Sequence, residues 1–338
     1  MKVGVHISGE SNAPLSLRRY YAALVPCLER LGVRLIGYHS GGALSTAVDL
    51  VWDPFCGWPI GPQWPSDDNA QIPRVVTFHG AAPLSLGPDE YWGGIGVAFA
   101  RHYGVLQRLV HWRAAEERSR FWAIVPSRFG ADELHSAFGF PSERIFVVPH
   151  GVDHAVFSPE GPLVQDPQGV GFLHVSDPQP LKNVARLIRA YVDLGSDKPP
   201  LTLVVPGLSG EGFQGLSGVR VIDSALSHEE LIFPSLRETF GLPVAEAMAC
   251  GCPVVAGCGS ALEELYADAA YLVDPRSIDD IRRGLQRVVQ DQALRENLRT
   301  AGLQRIQAFT WEAAARAYLD AFERVVDATG SMEGHVVP

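Results

Sequence analysis

Short apolar segments alternate with helical patterns throughout this 338-residue chain. Such alternation is the signature of βαβ units, in which parallel strands are joined by crossover helices. In the first half we predict strands near residues 2–7, 34–38, 49–52, 74–78, 122–125 and 145–148. In the second half we predict strands near residues 170–175, 201–205, 219–222, 231–234, 252–256 and 270–273. The pattern therefore predicts an α/β fold with parallel sheets.

Chain length and a shift in composition divide the sequence into domains. A chain of 338 residues exceeds a typical single core, so two domains are expected. We predict an N-terminal Rossmann-like domain over 1–157, a Pro- and Gly-rich linker over 158–169 and a second Rossmann-like domain over 170–310. An amphipathic helix is predicted over 311–327, with Thr310 as its N-cap.

Composition narrows the class of protein. Hydrophobic residues make up 46% of the chain, yet no apolar run approaches the roughly 18 residues that a membrane helix needs. The first residues lack the features of a signal peptide, so we expect a soluble, cytoplasmic protein. The five cysteines lack the spacing of a metal site and are interpreted as reduced packing residues. The net charge is −10 and no basic stripe indicates nucleic acid as a partner.

Residues 233–256 contain two carboxylates and a predicted helix start within a short segment. An apolar run that ends at Ser235 predicts a buried strand, and Pro243 suits the first position of a helix. Glu238 then lies in the loop and Glu246 in the helix, both toward the carboxyl edge of a parallel sheet, where doubly wound folds bind ligands. The helix start also offers backbone N–H groups to an anion. This combination indicates a site for a sugar nucleotide.

A longer pattern around these carboxylates resembles a known family. Residues 234–255 read Pro-Ser-Leu-x-Glu-x-Phe-Gly-Leu-Pro-x-x-Glu-Ala-Met-Ala-x-Gly-x-Pro-Val-Val, which is similar to the E-x7-E signature of retaining glycosyltransferases of family 4. Other segments follow in the family's order: Val125–Gly130, Ile145–Asp153, Leu181–Asn183, Asp268–Pro275 and Thr310–Glu312. The resemblance implies the GT-B fold, two Rossmann-like domains that face each other across a cleft, with a C-terminal helix returning toward the first domain.

The resemblance also implies roles for donor-binding residues. Lys182 would contact the diphosphate of the donor, and Gly9 would let the first loop approach the same group. Glu246 would accept hydrogen bonds from the ribose hydroxyls, and Glu238 from a hydroxyl of the donor sugar. Four consecutive residues at the start of the helix would complete the donor site: Phe240, Gly241, Leu242 and Pro243.

A histidine in the first domain completes the implied catalytic set of His79, Glu238 and Lys182. His79 ends a predicted strand, and the resemblance implies that it touches the donor sugar or the acceptor hydroxyl, although a lone histidine there is more often structural. Retaining members of the family are thought to react on one face of the sugar, with the leaving phosphate helping to deprotonate the acceptor, so no protein nucleophile is named. His150, before Gly151, is interpreted as part of a backbone turn.

The chain has no Asp-x-Asp motif, so we expect no metal and no cofactor beyond the nucleotide-sugar substrate. The main hypothesis is a retaining, metal-independent glycosyltransferase that moves a hexose from a nucleotide-diphosphate sugar to an acceptor hydroxyl. The acceptor would be a sugar, a glycolipid or a small molecule, held by loops near 54–69 and 83–104. In the second loop, Tyr91, Trp92 and Tyr103 would stack on the acceptor or pack the loop itself. Peripheral membrane contact and the oligomeric state stay open.

Two departures from the family pattern support an alternative. Ser176 and Asp177 stand where many relatives have Gly-Arg, and Asp177 would repel a diphosphate if it pointed the same way. Only residues 223–230 separate two predicted strands, whereas a parallel crossover takes about a dozen residues or more, so either the donor domain is trimmed or the sequence omits a mobile segment. The alternative is a catalytically inactive GT-B protein that binds sugar nucleotides or partners an active transferase. A phosphorylase or an epimerase fits the motif order less well.

Overall fold

The computed structural model describes residues 1–7, 13–56, 61–66, 72–92, 121–160, 171–206, 216–222 and 230–333. Some sequence-based predictions fall outside these residues, namely those for Gly9, Tyr103, most of the linker and residues 223–229 of the short crossover. Among the helices that the structure describes, none combines the length and the apolarity needed to cross a membrane.

The described residues form two six-stranded sheets and ten α-helices. The strands are β1 Lys2–His6, β2 Arg34–Tyr38, β3 Leu50–Asp53, β4 Arg74–Thr77, β5 Phe121–Val125, β6 Ile145–Val147, β7 Phe172–Val175, β8 Leu201–Val204, β9 Val219–Ile222, β10 Glu230–Phe233, β11 Val254–Gly257 and β12 Tyr271–Val273. The helices are α1 Leu15–Arg30, α2 Ala82–Ser85, α3 Pro88–Trp92, α4 Arg128–Phe138, α5 Val184–Val192, α6 Leu242–Ala249, α7 Ala261–Tyr266, α8 Ile278–Gln290, α9 Gln292–Ile306 and α10 Trp311–Glu333. The α/β fold predicted from the sequence is confirmed.

Two compact units share these elements. The first contains the described residues of Met1–Ser85, Arg101–Gly151 and Phe309–Pro338, and the second those of Leu86–Ala100 and Val152–Ala308. Each unit holds one sheet, and every strand pairing is parallel. Each sheet therefore has a carboxyl edge along which the loops after its strands lie together.

The sheet of the first unit has the order β2-β1-β3-β4-β5-β6. From β1 the chain moves first to β2 on one side and then to β3 on the other, so the point where the strand order reverses lies between β1 and β3. Ligands of doubly wound sheets bind outside the carboxyl ends of the strands at such a switch point. His6 ends β1 and Asp53 ends β3, which places both residues there.

A buried cluster of hydroxyl groups ties the helices of the first unit to its sheet. Tyr20 of α1 and Tyr318 of α10 place their hydroxyl oxygens 2.9 Å apart, and each lies 3.1 Å from Oγ1 of Thr77 on β4. Trp52 Nε1 donates to the same Thr77 oxygen at 3.0 Å. Because buried polar groups are costly when unpaired, this shared network fixes α1 and α10 against the sheet.

The sheet of the second unit has the order β9-β8-β7-β10-β11-β12, so its switch point lies between β7 and β10. Apolar side chains of α5 and α8 pack onto one face of the sheet, among them Leu187, Tyr191 and Leu285. The periodicity of the helix explains this packing, because apolar residues at that spacing share one buried stripe. The loops after β7 and β10 are thereby held at one place on the carboxyl edge.

The structure divides the chain differently from the predicted domain bounds. The first unit ends at Gly151 rather than at residue 157, and Leu86–Trp92, which the sequence assigns to the first domain, belongs to the second unit. Within the second unit, Arg276 Nε donates to Glu90 Oε1 at 2.8 Å and Arg276 Nη2 donates to Glu90 Oε2 at 3.2 Å. The predicted C-terminal helix is α10, which lies in the first unit and whose start is capped by Thr310 Oγ1.

Candidate functional site

The loops after β7 and β10 bring together two of the residues singled out in the sequence. Lys182 ends a short 3-10 turn, Pro180–Lys182, that follows β7, and Glu238 lies in the loop between β10 and α6. Lys182 Nζ donates to Glu238 Oε1 at 2.7 Å, with side chains that are 16% and 13% exposed. Ser235 Oγ donates to the same carboxylate oxygen at 2.7 Å. Lys182, Glu238 and Ser235 thus form a cluster at the switch point of the second sheet, and their role in donor binding stays a prediction.

The charge state of Lys182 follows from its surroundings. Burial by itself would lower the pKa of its ammonium group, but Glu238 and Asp177 outweigh this effect and raise the pKa above the ordinary value. The ammonium group also lies 5.7 Å from the ring centroid of Phe233, where a cation is favoured. Lys182 therefore stays charged at neutral pH.

Asp177 does not extend away from its own loop. Its Oδ1 accepts from the backbone N–H of Gln179 at 3.0 Å, and its Oδ2 from Gln179 Nε2 at 3.2 Å. The carboxylate nevertheless lies near enough to raise the pKa of Lys182. The pKa of Tyr91 is raised mainly by burial and also by Asp177. Asp177 therefore adds negative charge beside Lys182 while it stabilises a local turn.

Asn183 is a residue that the sequence reasoning did not single out as important to this site. It is the one non-glycine residue with a positive φ among those the structure describes, at φ 64°. Its Nδ2 donates to the carbonyl of Pro234 at 2.9 Å and to that of Pro275 at 2.6 Å. The side chain joins the loops after β7, β10 and β12, and so fixes the backbone next to Lys182. An Asn directly before a helical pattern was the signal available in the sequence.

His174 was also missed. It lies in β7 with no exposed surface, and Nδ1 donates to the carbonyl of Ile232 on β10 at 2.8 Å. Nε2 lies 2.9 Å from Oγ of Ser176. Burial lowers the pKa of His174 to about 4, so the imidazole is neutral at pH 7. It connects β7 and β10 at the point from which the loops of the candidate site begin.

The helix start predicted to hold the donor has the expected backbone form. Gly241 adopts φ 83°, and a Cβ added there would collide with the side chain of Leu262, so glycine is required. Leu242 and Pro243 are half-buried at the first two positions of α6. Pro243 has no N–H, and the amides of Val244 and Ala245 donate to the carbonyl of Gly241. An anion at this end would therefore meet the amides of Gly241 and Leu242.

Two other predicted donor-site residues lie on either side of this helix start. The ring of Phe240 is 3% exposed and packs edge-on against Tyr266, with centroids 6.2 Å apart. Its side chain therefore belongs to the core, and only its backbone is available to a donor. Glu246 lies half-buried on α6.

His79 in the first unit follows β4 by two residues. Its Nε2 donates to the carbonyl of Pro54 at 2.8 Å, and its backbone N–H donates to the carbonyl of Cys56 at 3.1 Å. Burial lowers the pKa of His79 to about 4, so the ring is neutral at pH 7. His79 therefore does not act as a cation, and one of its ring nitrogens is engaged by the carbonyl of Pro54.

His150, interpreted from the sequence as part of a turn, contributes its ring to the core of the first unit. The ring stacks on Trp311 at 6.0 Å between centroids and lies 4.8 Å from Tyr20. Burial, and then the neighbouring His79, lower its pKa well below the ordinary value. His150 is therefore a neutral packing residue.

Comparison with known proteins agrees with this architecture. Residues 13–156 match the model of Glycosyltransferase Family 4, and residues 223–305 match that of Glycosyl transferases group 1. The chain is 33% identical over 236 residues to a D-inositol 3-phosphate glycosyltransferase from Nocardioides sp., a match that covers 57% of this chain and 51% of the relative. The chain thus spans about half the length of this curated relative.

Solved structures resemble the whole fold at low sequence identity. Sucrose-phosphate synthase from Thermosynechococcus elongatus superposes with a TM-score of 0.72 at 15% identity, over 97% of this chain and 100% of the other. HepE from Anabaena, solved in complex with UDP and glucose, superposes with a TM-score of 0.64 at 15% identity, over 96% and 100%. The GT-B fold and the resemblance seen in the motifs are confirmed, and the chain belongs to the group 1 glycosyltransferases of family 4.

Proposed function

We propose that this protein is a retaining, metal-independent glycosyltransferase that moves a hexose from a nucleoside diphosphate sugar to an acceptor hydroxyl. The observation that carries the proposal is the paired Lys182 and Glu238 at the switch point of the second sheet. Family membership gives this pair its context, because the E-x7-E motif that contains Glu238 is present in full. The second unit would bind the donor and the first the acceptor.

The arrangement suits the charge that develops in the reaction. As the bond from the anomeric carbon to the diphosphate breaks, negative charge grows on the departing phosphate, and a positioned cation stabilises it. Lys182 supplies that cation, and the amides of Gly241 and Leu242 supply hydrogen bonds. Lys182 donates to Glu238, so donor binding would transfer the lysine to the phosphate and leave Glu238 to accept from a sugar hydroxyl. Glu246 would accept from the ribose hydroxyls.

The proposed reaction asks for no protein nucleophile. The acceptor oxygen forms a bond to the anomeric carbon on the face from which the diphosphate leaves, and the acceptor proton passes to a phosphate oxygen of the leaving group. The anomeric configuration is then retained. His79 suits a hydrogen-bonding contact near the sugars better than proton transfer, because a pKa of about 4 makes its imidazole a weak base at pH 7. A UDP-hexose is the donor to test first, because HepE was solved with UDP and glucose.

The second candidate function, a sugar-nucleotide binder without transfer activity, has one observation in its favour. Asp177 lies near Lys182 and stands where a phosphate-binding cation is common in relatives. Its negative charge weakens the field that would stabilise a departing diphosphate. Binding of nucleotide without transfer to any acceptor is the behaviour that this alternative predicts.

A thermal-shift screen with UDP, GDP, ADP and their hexose derivatives tests donor binding. At a hundredfold excess over the dissociation constant, a ligand adds roughly 2.7 kcal/mol to the free energy of unfolding. We expect stabilisation by one nucleotide family that is lost in Lys182→Ala and in Glu246→Ala. Lys198→Ala is the matched control, because it removes the same positive charge outside the site. Lys198 donates to the carbonyls of Tyr191 and Val192.

Transfer is then measured with the stabilising donor, a panel of sugar, glycolipid and small-molecule acceptors, and excess EDTA. Activity in EDTA with an NMR-verified retained anomeric configuration supports the proposal in full. An inverted product contradicts the retaining mechanism, and loss of activity that Mg²⁺ or Mn²⁺ restores contradicts metal independence. Binding without transfer supports the inactive alternative, and no binding by any nucleotide contradicts both.

A further inference from the structure

The switch point of the first sheet carries a buried pair of polar side chains. His6, the last residue of β1, places Nδ1 3.3 Å from Oδ1 of Asp53, the last residue of β3. His6 is 4% exposed and Asp53 is 1% exposed. In the second unit the corresponding switch point holds Lys182 and Glu238. The pair in the first unit therefore occupies the place in its sheet where a ligand is expected.

The surroundings of Asp53 fix the hydrogen-bonding state of the histidine. Oδ1 also accepts from the backbone N–H of Phe55 at 3.0 Å, and Oδ2 accepts from that of Gln63 at 2.9 Å. Because a carboxylate oxygen accepts hydrogen bonds, the contact with Oδ1 is made by the His6 tautomer that carries its proton on Nδ1. Nε2 is then left with a lone pair directed away from Asp53.

Nε2 of His6 is buried and has no hydrogen-bond partner within the part of the chain that the structure describes. Native proteins pair almost all buried polar atoms, so such an atom calls for a specific explanation. The ring lies beside two aromatic side chains, with centroids 5.7 Å from Tyr38 and 6.5 Å from Phe55. Nε2 is thus an acceptor nitrogen beside aromatic rings at a switch point, a setting that suits hydrogen bonding to a ligand.

We propose that His6 Nε2 accepts a hydrogen bond from a hydroxyl group of the acceptor substrate, with Asp53 as the positioning residue that fixes the tautomer. This inference rests on the proposed function and identifies the acceptor class at this point of contact. A neutral sugar or polyol hydroxyl donates to a bare imidazole nitrogen. A phosphate or carboxylate has only acceptor oxygens when fully ionised, and it would be repelled by the nearby Asp53 carboxylate.

NMR of protein labelled with 15N-histidine tests the contact without relying on activity. His6→Phe assigns the His6 signals and keeps an aromatic ring in the core. In the free protein we expect Nδ1 to be protonated and Nε2 to be unprotonated. Acceptors drawn from methyl α-D-glucopyranoside, methyl α-D-mannopyranoside and myo-inositol, at saturation in the presence of UDP, are expected to shift the Nε2 resonance. An unmoved Nε2 resonance with a saturating probe that is a proven acceptor overturns the inference.

Kinetics separate this inference from the proposed function. We expect His6→Phe to raise the KM for the acceptor at least tenfold while the thermal shift by UDP stays unchanged. Asp53→Asn is expected to change the Nε2 resonance of the free protein and to raise the same KM. His154→Phe, a substitution of an exposed histidine, is the control.

The outcomes that contradict the two proposals differ. Wild-type protein that binds no nucleotide refutes the proposed function. Normal transfer with an unchanged acceptor KM in folded His6→Phe refutes this inference alone. Should His6→Phe fail to fold, the NMR response of wild-type protein, assigned with Asp53→Asn, decides.

Discussion

Lys182 and Glu238 form a 2.7 Å ion pair between the loops that follow β7 and β10. Asp177 also lies near Lys182, so one cation is surrounded by two carboxylates where the proposed diphosphate would bind. Under the proposed function, a donor would compete with Glu238 for Lys182, and the charge of Asp177 would oppose its binding.

Removing the charge of Asp177 is expected to strengthen nucleotide binding. Asp177→Asn keeps an oxygen that accepts from the backbone N–H of Gln179, so the turn is preserved while the repulsion is lost. A single partly exposed charge at this range is worth about 1 kcal/mol, or roughly a fivefold gain in affinity. Isothermal titration calorimetry with UDP measures it, with Asp193→Asn at the exposed end of α5 as the control. Weaker binding in Asp177→Asn would show that the carboxylate contributes to the site.

Asn183 is expected to contribute strongly to the stability of the protein. Asn183→Asp tolerates the left-handed backbone but replaces an amide donor with a carboxylate that faces the carbonyls of Pro234 and Pro275. Losing two buried hydrogen bonds lowers the free energy of unfolding by about 3 kcal/mol. Asn183→Gly, which loses the bonds without adding charge, is expected to lose less. Urea unfolding compares the variants, and wild-type stability in Asn183→Asp would contradict this account.

The strands and the E-x7-E motif around Glu238 were predictable because their signals are local. Apolar runs of strand length and a contiguous motif can be read from neighbouring residues. The link from Asn183 to Pro275 spans 92 positions and that from Glu90 to Arg276 spans 186, and neither has a local pattern. Hydrogen bonds between distant loops depend on where the completed sheets place them. For that reason the position of Leu86–Trp92 and the joining of the loops by Asn183 emerged only from the structure.

Gly151 is expected to be intolerant of any side chain. A Cβ there would lie 2.5 Å from the carbonyl carbon of Thr310 and 2.6 Å from Cα of Trp311, and backbone atoms at the start of α10 have little room to retreat. Gly151→Ala should lower the free energy of unfolding by about 3 kcal/mol through overpacking. Gly330→Ala is the matched control, because its Cβ meets nothing within 4 Å and alanine favours the helix. Equal stability of the two variants by urea unfolding would contradict the close packing at Gly151.

His174 is expected to make the protein less stable in acid. Burial lowers its pKa to about 4, whereas the unfolded chain titrates near 6.5, so between these values the unfolded state binds a proton that the native state does not. Stability is therefore lost as pH falls from about 6.5 to 4, by up to about 3 kcal/mol for this residue. Residue 174 no longer titrates in His174→Gln, so the free energy of unfolding of this variant should fall less between pH 7 and pH 4.5.

The comparison of wild type with His174→Gln isolates the effect of His174. His79 and His150 are also buried, but both are present in the two proteins, so their effects cancel in the difference between the urea unfolding curves. An identical loss in the variant would mean that His174 accepts its proton without disturbing β7 and β10.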